Sequence, residues 1–213
     1  MAPETHWPEL RVVICVVSDQ KKDVSSTSGM HTTTETSTLF RERLRVVPQR
    51  MDGMEKAILA KDFESFGRIT MMDSNSFHSV CLDTFPPIFY LNDISKRIIT
   101  LIHKWNEASG RTMAAYTFDA GPNAVIYSPK ENMPQLLKLL LHYFPPNIDD
   151  ATIIPDKGGY VNKEQTLIEE YGVNPRDTEG LPTLKMSPSA KGMLKFILTK
   201  PGEGPIILRK NYI

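Results

Sequence analysis

The stretch Tyr116-Thr-Phe-Asp-Ala-Gly-Pro-Asn-Ala-Val125 predicts two short strands joined by a tight turn. The flanking Thr, Phe and Val residues suit a half-buried strand. The central Gly-Pro-Asn favours a turn, because glycine tolerates positive φ and proline fixes its own φ. Asp119 lies where the first strand ends, so rigid elements can hold its carboxylate towards a cleft, where it can accept or orient a proton. The alternative is that Asp119 only closes an Asx-turn with its own backbone.

A second signal for the fold is the nearly unbroken apolar run over Leu10–Val17. Such a run is typical of a strand that is buried on both faces at the centre of a sheet. A central strand needs neighbours on both sides, and nothing precedes this one in the sequence to supply them. The run itself does not show which segments pair with it.

Helices account for much of the remaining chain. Asn92 is a good N-cap for the clearest helix, which Gly110 ends. The other predicted elements are helices over Leu39–Val47 (ending before Pro48), Asp52–Lys61, Phe63–Thr70, Glu164–Tyr171 and Met133–Phe144, and final strands over Lys195–Thr199 and Ile206–Leu208. This order predicts an α+β fold, a mostly antiparallel sheet with helices packed on one face.

Composition excludes several classes of function. The 213 residues carry 25 basic and 25 acidic side chains, so no basic excess indicates nucleic acid or an anionic membrane. No apolar run approaches the roughly 18 residues of a membrane helix. Cys15 and Cys81 are far apart and outside any metal-ligand spacing, which argues against zinc. Two thiols fit a reducing compartment, and we expect a cytoplasmic protein.

Two polar segments are candidates for binding. Residues 18–38 combine Lys21, Lys22 and many hydroxyls, the groups that hold phosphate oxygens. The alternative, which we favour on local chemistry, is a solvated surface loop. His78 lies in a second polar cluster, but it has no partner at a defined spacing, and we interpret it as a structural histidine.

Five stretches give the chain a family resemblance. Besides the one quoted above, they are His6-Trp-Pro-Glu-Leu10, Lys21-Lys-Asp-Val-Ser-Ser-Thr-Ser-Gly-Met30, Met71-Met-Asp-Ser-Asn-Ser-Phe-His78 and Cys81-Leu-Asp-Thr-Phe-Pro-Pro-Ile88. They closely resemble the eukaryotic mevalonate diphosphate decarboxylase family of the GHMP small-molecule kinase superfamily. The likeness covers residues 4–144 and fades afterwards.

The resemblance implies a function in the mevalonate pathway of isoprenoid and sterol biosynthesis. In this family ATP, with Mg²⁺, phosphorylates the tertiary hydroxyl of mevalonate 5-diphosphate, and loss of phosphate and CO₂ gives isopentenyl diphosphate. Asp119 matches the catalytic aspartate that contacts this hydroxyl. Ser26 and Met30 match positions that line the substrate pocket, and Thr27 stands beside them where a bacterial relative carries a cation. Family members are commonly homodimers.

The resemblance is confined to the carboxyl-terminal half of the family's enzymes. Their ATP site lies in a Pro-x-x-x-Gly-Leu-x-Ser-Ser-Ala type of loop, and nothing like that loop occurs in this sequence. We expect one GHMP carboxyl-terminal domain over residues 1–213, with a core of 8–144 and final strands in 194–208, and a variable surface insertion over 147–189. We also expect the ATP-binding domain to be absent, and with it the sheet partners of the strand over Leu10–Val17. The chain would then be a fragment or short isoform that is inactive alone. The alternative is a non-catalytic truncated paralogue that binds or modulates the full-length enzyme.

Overall fold

The computed structural model describes residues 2–18, 24–145, 152–155, 171–174, 177–189 and 195–202. The strands are β1 (Leu10–Val16), β2 (Ala115–Phe118), β3 (Ala124–Pro129), β4 (Thr152–Pro155) and β5 (Lys195–Thr199). The helices are α1 (Ser26–Thr36), α2 (Thr38–Ala60), α3 (Phe63–Asp83), α4 (Asp93–Ser109) and α5 (Met133–Tyr143), and a 3₁₀ turn spans Lys130–Asn132.

The five strands form one sheet in the order β2-β3-β1-β5-β4. All neighbouring pairs are antiparallel except β4 and β5, which are parallel. The α+β class with a mostly antiparallel sheet is therefore confirmed. β1 is central as predicted, but its neighbours β3 and β5 both belong to this chain. The expectation that its partners lie outside the sequence is wrong, because strands more than 100 residues later return to pair with it.

The main core lies between one face of the sheet and helices α4 and α5. Val13 and Ile126 face the helices and are fully buried with Trp105 and Leu140. On the opposite face Leu10 packs with Phe66 of α3 in a smaller cluster. α4 buries one face and α5 buries most of its side chains, as helices that cover this side of the sheet must.

Three helices differ from the prediction. Residues 26–36 form helix α1 rather than a surface loop, although Ser and Thr are weak helix formers. Its hydroxyls bond within the helix, as in Thr36 to Thr32, and the buried Thr33 hydroxyl bonds Thr84 at 2.8 Å. Tertiary contacts therefore outweigh the low propensity. Residues 19–23, with Lys21 and Lys22, lie outside the described part of the chain.

α2 is one helix where two were predicted, and α3 continues to Asp83 where only Phe63–Thr70 was predicted as helical. Pro48 lies inside α2 although proline removes a backbone hydrogen bond. Arg43 and Arg50, on either side of Pro48, both bind Asp73 of α3, and this shared ion pair holds the two halves of α2 in one line. α3 continues through the polar residues 73–78 because several of these side chains bond the neighbouring strand β2.

The segment 147–189 is not simply a surface insertion. β4 adds an edge strand to the sheet, and Val173 and Leu184 are buried in the main core. Apolar side chains in a weakly patterned segment can still be buried when the rest of the domain provides the partners. The predicted strand over Ile206–Leu208 lies outside the described residues, as does the predicted helix over Glu164–Tyr171 apart from its last residue.

Candidate active site

A cavity of about 420 Å³ opens between α1, α3 and the turn that follows β2. Its volume lies within the usual range for small-molecule sites, which is about 300–1,000 Å³. Fourteen residues line the cavity: Ser26, Gly29, Met30, Thr33, Thr34, Phe40, Arg43, Phe77, Val80, Cys81, Ile88, Tyr90, Asp119 and Ala120. Of the predicted site residues, the structure thus brings together Ser26, Met30 and Asp119.

Asp119 is presented by a turn that is tied at both ends. The Gly121 N–H donates to the Asp119 carbonyl at 2.7 Å. The Asn123 side-chain oxygen accepts from the Val17 and Ser18 amides at 2.8 and 3.1 Å, which joins the turn to the end of β1. On the other side, the Ser95 hydroxyl of α4 donates to the Pro122 carbonyl at 2.8 Å. These bonds fix the direction in which Asp119 leaves the sheet.

The Asp119 carboxylate itself makes no hydrogen bond to any described residue. The side chain is exposed at the cavity, and it closes no Asx-turn with its own backbone. The Asx-turn that the sequence left open as an alternative for Asp119 is therefore not formed. A carboxylate that is held by its backbone but unpaired can accept a hydrogen bond from a ligand.

Helix α1 supplies the opposite wall. Ser25 caps the helix by accepting from the Ser28 amide at 3.1 Å, so Ser26 is the first helical residue. Ser26 and Met30 line the cavity one turn apart. Thr27 is exposed on the same first turn but is not among the lining residues.

His78 packs against Phe118 at the end of β2, next to the Asp119 turn, and is not among the residues that line the cavity. The ring is buried and edge-on to Phe77 and Phe118, and Nε2 contacts the Phe118 carbonyl at 3.4 Å. Burial lowers the pKa of His78, while the Phe118 carbonyl and the charge of Asp119 oppose that shift. The interpretation as a structural histidine is confirmed by these contacts.

Three further polar groups of the cavity were missed by the sequence analysis: Arg43, Cys81 and Tyr90. Burial raises the pKa of the Cys81 thiol to about 11, against the opposing charge of Arg43. Burial also raises the pKa of Tyr90, and the nearby Cys81 and Asp119 add to the shift. Cys81 is therefore close enough to Arg43 and to Tyr90 for their charged forms to interact.

Arg43 is the one cationic side chain among the described residues that line the cavity. Its guanidinium is bidentate on Asp73, with Nη1 and Nη2 at 2.8 and 2.7 Å from the two carboxylate oxygens. Arg50 donates to the same carboxylate at 3.1 Å. Burial disfavours the charged form of Asp73, but the hydrogen bonds and charges of the two arginines outweigh it and lower the pKa. The seven-residue spacing of the two arginines places them on one helix face, and this is the signal from which the pairing could have been suspected.

Comparison with known proteins identifies the family. Residues 12–208 match the family described as the mevalonate 5-diphosphate decarboxylase C-terminal domain. The chain belongs to the mevalonate diphosphate decarboxylase family. The match runs to residue 208, beyond residue 144, after which the likeness was expected to fade. The diphosphomevalonate decarboxylase of Danio rerio is 46% identical over 98% of this chain and 49% of that protein.

Solved structures of mevalonate diphosphate decarboxylases share the fold. The enzyme from Trypanosoma brucei is 33% identical with a TM-score of 0.79, covering 94% of this chain and 51% of that chain. A complex described as MDDEF with MVAPP, AMPPCP and magnesium is 31% identical with a TM-score of 0.62, covering 68% of this chain and 44% of that chain. The chain spans about half the length of the curated relatives it matches.

The described residues do not fit an ATP and magnesium site by themselves. No group of three or more His, Cys, Asp or Glu side chains lies close enough together there to hold a metal ion. Asp119 is the one acidic side chain among the described lining residues of the cavity. In the part of the chain that the structure describes, no helix has the length and apolarity needed to cross a bilayer.

Proposed function

We propose that this chain provides the carboxyl-terminal part of the active site for the ATP-dependent decarboxylation of mevalonate 5-diphosphate to isopentenyl diphosphate. The observation that carries the proposal is the unpaired Asp119 carboxylate, which lines the same 420 Å³ cavity as Ser26 and Met30. These are three of the four positions at which the resemblance to the family implied substrate contacts.

Asp119 orients the tertiary hydroxyl of the ligand and takes its proton. A carboxylate on a fixed backbone and without other partners is free to accept that hydrogen bond, and this supplies both positioning and a base. The turn contributes by fixing the backbone from which the carboxylate projects, through the bonds of Asn123 and Ser95.

Ser26 and the first turn of α1 bind the diphosphate. The first backbone N–H groups of a helix have no acceptor within the helix and favour an anion. The Ser26 hydroxyl makes no hydrogen bond to a described residue and can donate in the same direction. Thr27, which lies on the same turn, contributes through its backbone N–H, and Met30 packs against the carbon chain of the ligand.

ATP and Mg²⁺ are bound mainly outside the described residues, as the family resemblance implies. We therefore expect the chain alone to bind mevalonate 5-diphosphate without turnover. The chain would need a second polypeptide segment that supplies the nucleotide site. We also propose that the protein dimerises, as the family resemblance suggests, and that it is cytoplasmic, as the two thiols suggest.

The experiment measures CO₂ and phosphate release from mevalonate 5-diphosphate with ATP and Mg²⁺. The purified chain is assayed alone and mixed with the separately produced amino-terminal half of the Danio rerio relative. Asp119→Asn is compared with Asp52→Asn, a matched control on the exposed surface of α2. We expect release only in the mixture, lost in Asp119→Asn and kept in Asp52→Asn.

Three results would contradict parts of the proposal. Equal release by Asp119→Asn and the wild-type chain would remove the role of Asp119. Release by the chain alone would show that it holds its own nucleotide site. A folded chain that binds no mevalonate 5-diphosphate, alone or in the mixture, would refute the proposed substrate. In a separate experiment, co-purification with an intact relative, together with a change in the decarboxylation rate of that relative, would favour the non-catalytic alternative.

A further inference from the structure

Tyr90 contributes to the cavity a hydroxyl group that the proposed function does not yet use. It lies on the segment between α3 and α4 and packs in a small apolar cluster with Cys81, Ile88 and Ala120. The ring is 9% exposed, and His78 contacts it edge-on with ring centroids 6.5 Å apart. The side chain is therefore held in one place while its hydroxyl borders the cavity.

The backbone of helix α1 lies very close to this hydroxyl at Gly29. A Cβ atom at Gly29 would lie 2.5 Å from the Tyr90 oxygen and 3.3 Å from the tip of Ile88. Only glycine leaves room for the hydroxyl between α1 and the turn that carries Asp119. The Tyr90 oxygen thus lies between the two walls that the proposed function assigns to the diphosphate and to the tertiary hydroxyl.

The hydroxyl has no partner within the described part of the chain. Of the other hydroxyls of the cavity wall, Thr33 bonds Thr84 and Thr34 bonds the His31 carbonyl, while Ser26 is the one already assigned to the diphosphate. Tyr116, which is also buried, bonds both Asn75 and His103 at 3.0 Å. A half-enclosed hydroxyl with no protein partner has its hydrogen-bonding capacity left for a ligand or for water.

We propose that Tyr90 is a substrate-positioning residue whose hydroxyl donates a hydrogen bond to an anionic oxygen of the ligand bound beside Asp119. The proposal rests on the proposed function, in which that ligand is mevalonate 5-diphosphate. A phosphorylated hydroxy acid brings several negative charges next to the Asp119 carboxylate, and this repulsion must be offset by donors. Tyr90 can supply a neutral donor beside Gly29, on the same helix that carries Ser26.

The protonation state of Tyr90 suits this role. Burial, Cys81 and Asp119 all raise its pKa above the ordinary value for a tyrosine. The phenol therefore keeps its proton at neutral pH and is available as a donor. An anionic ligand raises this pKa further, because it adds another negative charge near the hydroxyl.

The test reads the hydroxyl directly by NMR. The purified full chain is labelled with ¹³Cζ-tyrosine, and the Tyr90 resonance is assigned from its loss in Tyr90→Phe. Mevalonate 5-diphosphate is then titrated into the wild-type chain, alone and with the amino-terminal half of the Danio rerio relative. Dissociation constants are measured for wild type, Tyr90→Phe and Tyr127→Phe. The last variant is the matched control, since Tyr127 has no hydrogen bond to a described residue and lines a different cavity.

We expect the Tyr90 resonance to move on binding and the dissociation constant to rise about tenfold in Tyr90→Phe, the cost of one hydrogen bond to a charged acceptor. Tyr127→Phe should bind like wild type. A wild-type chain that binds the ligand while the Tyr90 resonance stays still overturns the Tyr90 proposal and leaves the proposed function standing. Absence of binding by wild type both alone and in the mixture overturns both. If Tyr90→Phe folds poorly, the resonance is assigned by elimination from single Tyr→Phe changes at the other six of the seven tyrosines. The titration itself uses only the wild-type chain, so it still decides the question.

Discussion

Gly29 and Tyr90 should be energetically coupled, and the coupling can be estimated from their geometry. Gly29→Ala places a methyl carbon 2.5 Å from the Tyr90 oxygen, well inside van der Waals contact. Because Tyr90 is packed in a buried cluster, its ring cannot move aside freely, and overpacking of this kind costs about 1–3 kcal/mol. Replacing a helical glycine by alanine gains about 1 kcal/mol in return. We expect Gly29→Ala to destabilise the wild-type chain by about 0–2 kcal/mol.

In the Tyr90→Phe background the same change should be tolerated or even stabilising. Without the hydroxyl, the nearest neighbour of the new methyl group is the flexible tip of Ile88 at 3.3 Å. The helix-propensity gain of about 1 kcal/mol then remains nearly unopposed. The interaction energy between the two substitutions is therefore about 1–3 kcal/mol.

A double-mutant cycle measures this energy. Urea unfolding is followed by circular dichroism for the wild-type chain, both single variants and the double variant. Gly53→Ala, at a helical glycine of α2 whose added methyl would contact Ile69 at 3.1 Å, is combined with Tyr90→Phe as a control that should be additive. If Gly29→Ala and Tyr90→Phe are additive within about 0.5 kcal/mol, the close approach of α1 to the Tyr90 hydroxyl is wrong. The placement of the Tyr90 hydroxyl between the two cavity walls would then be wrong as well.

Two other predictions concern the supports of the site. Asp73→Asn should destabilise the chain by about 1–2 kcal/mol because Arg43 and Arg50 lose their shared, partly exposed partner. As a control, Glu42→Gln breaks an exposed pair with Arg45 and should cost less than about 0.5 kcal/mol. The folded-state pKa of Asp73 is lowered, so its contribution is present above the unfolded pKa and is lost as the pH falls through the folded pKa. The difference between Asp73→Asn and wild type in urea unfolding should thus shrink on acidification below about pH 4, and a constant difference down to pH 2 would contradict the assignment. Asn123→Ala removes the side-chain oxygen that accepts from the Val17 and Ser18 amides and should cost about 1–3 kcal/mol in the same assay. A cost indistinguishable from zero would mean that the turn is not tied to β1.

Those parts of the fold that depend on local signals could be predicted from the sequence. The turn between β2 and β3 follows from its Gly-Pro-Asn sequence. α4 begins at Asn92 with a full capping box and ends at Gly110 in the left-handed conformation, φ 65°. Asp119 was found as a site candidate because it follows a strand and matches a family position.

The features that depend on distant residues could not be predicted. α1 exists because Gly29 and Thr33 pack against residues more than 50 positions later. α2 continues through Pro48 because Asp73, from another helix, binds both of its arginines. Tyr90 and Arg43 enter the cavity through this packing of α1, α2 and α3. The spacing of Arg43 and Arg50 indicates a shared helix face but not the cavity, and no spacing in the sequence marks Tyr90.

The bonds that Asn123 accepts connect the Asp119 turn to amides that lie 106 and 105 positions earlier in the chain. Closing a loop of this length carries an entropy cost that local helix contacts do not have. We therefore expect the turn that carries Asp119 to become ordered later in folding than the helices. Amide hydrogen exchange at Val17 and Ser18 consequently reports whether the Asp119 turn is closed, even though both residues belong to the end of another strand.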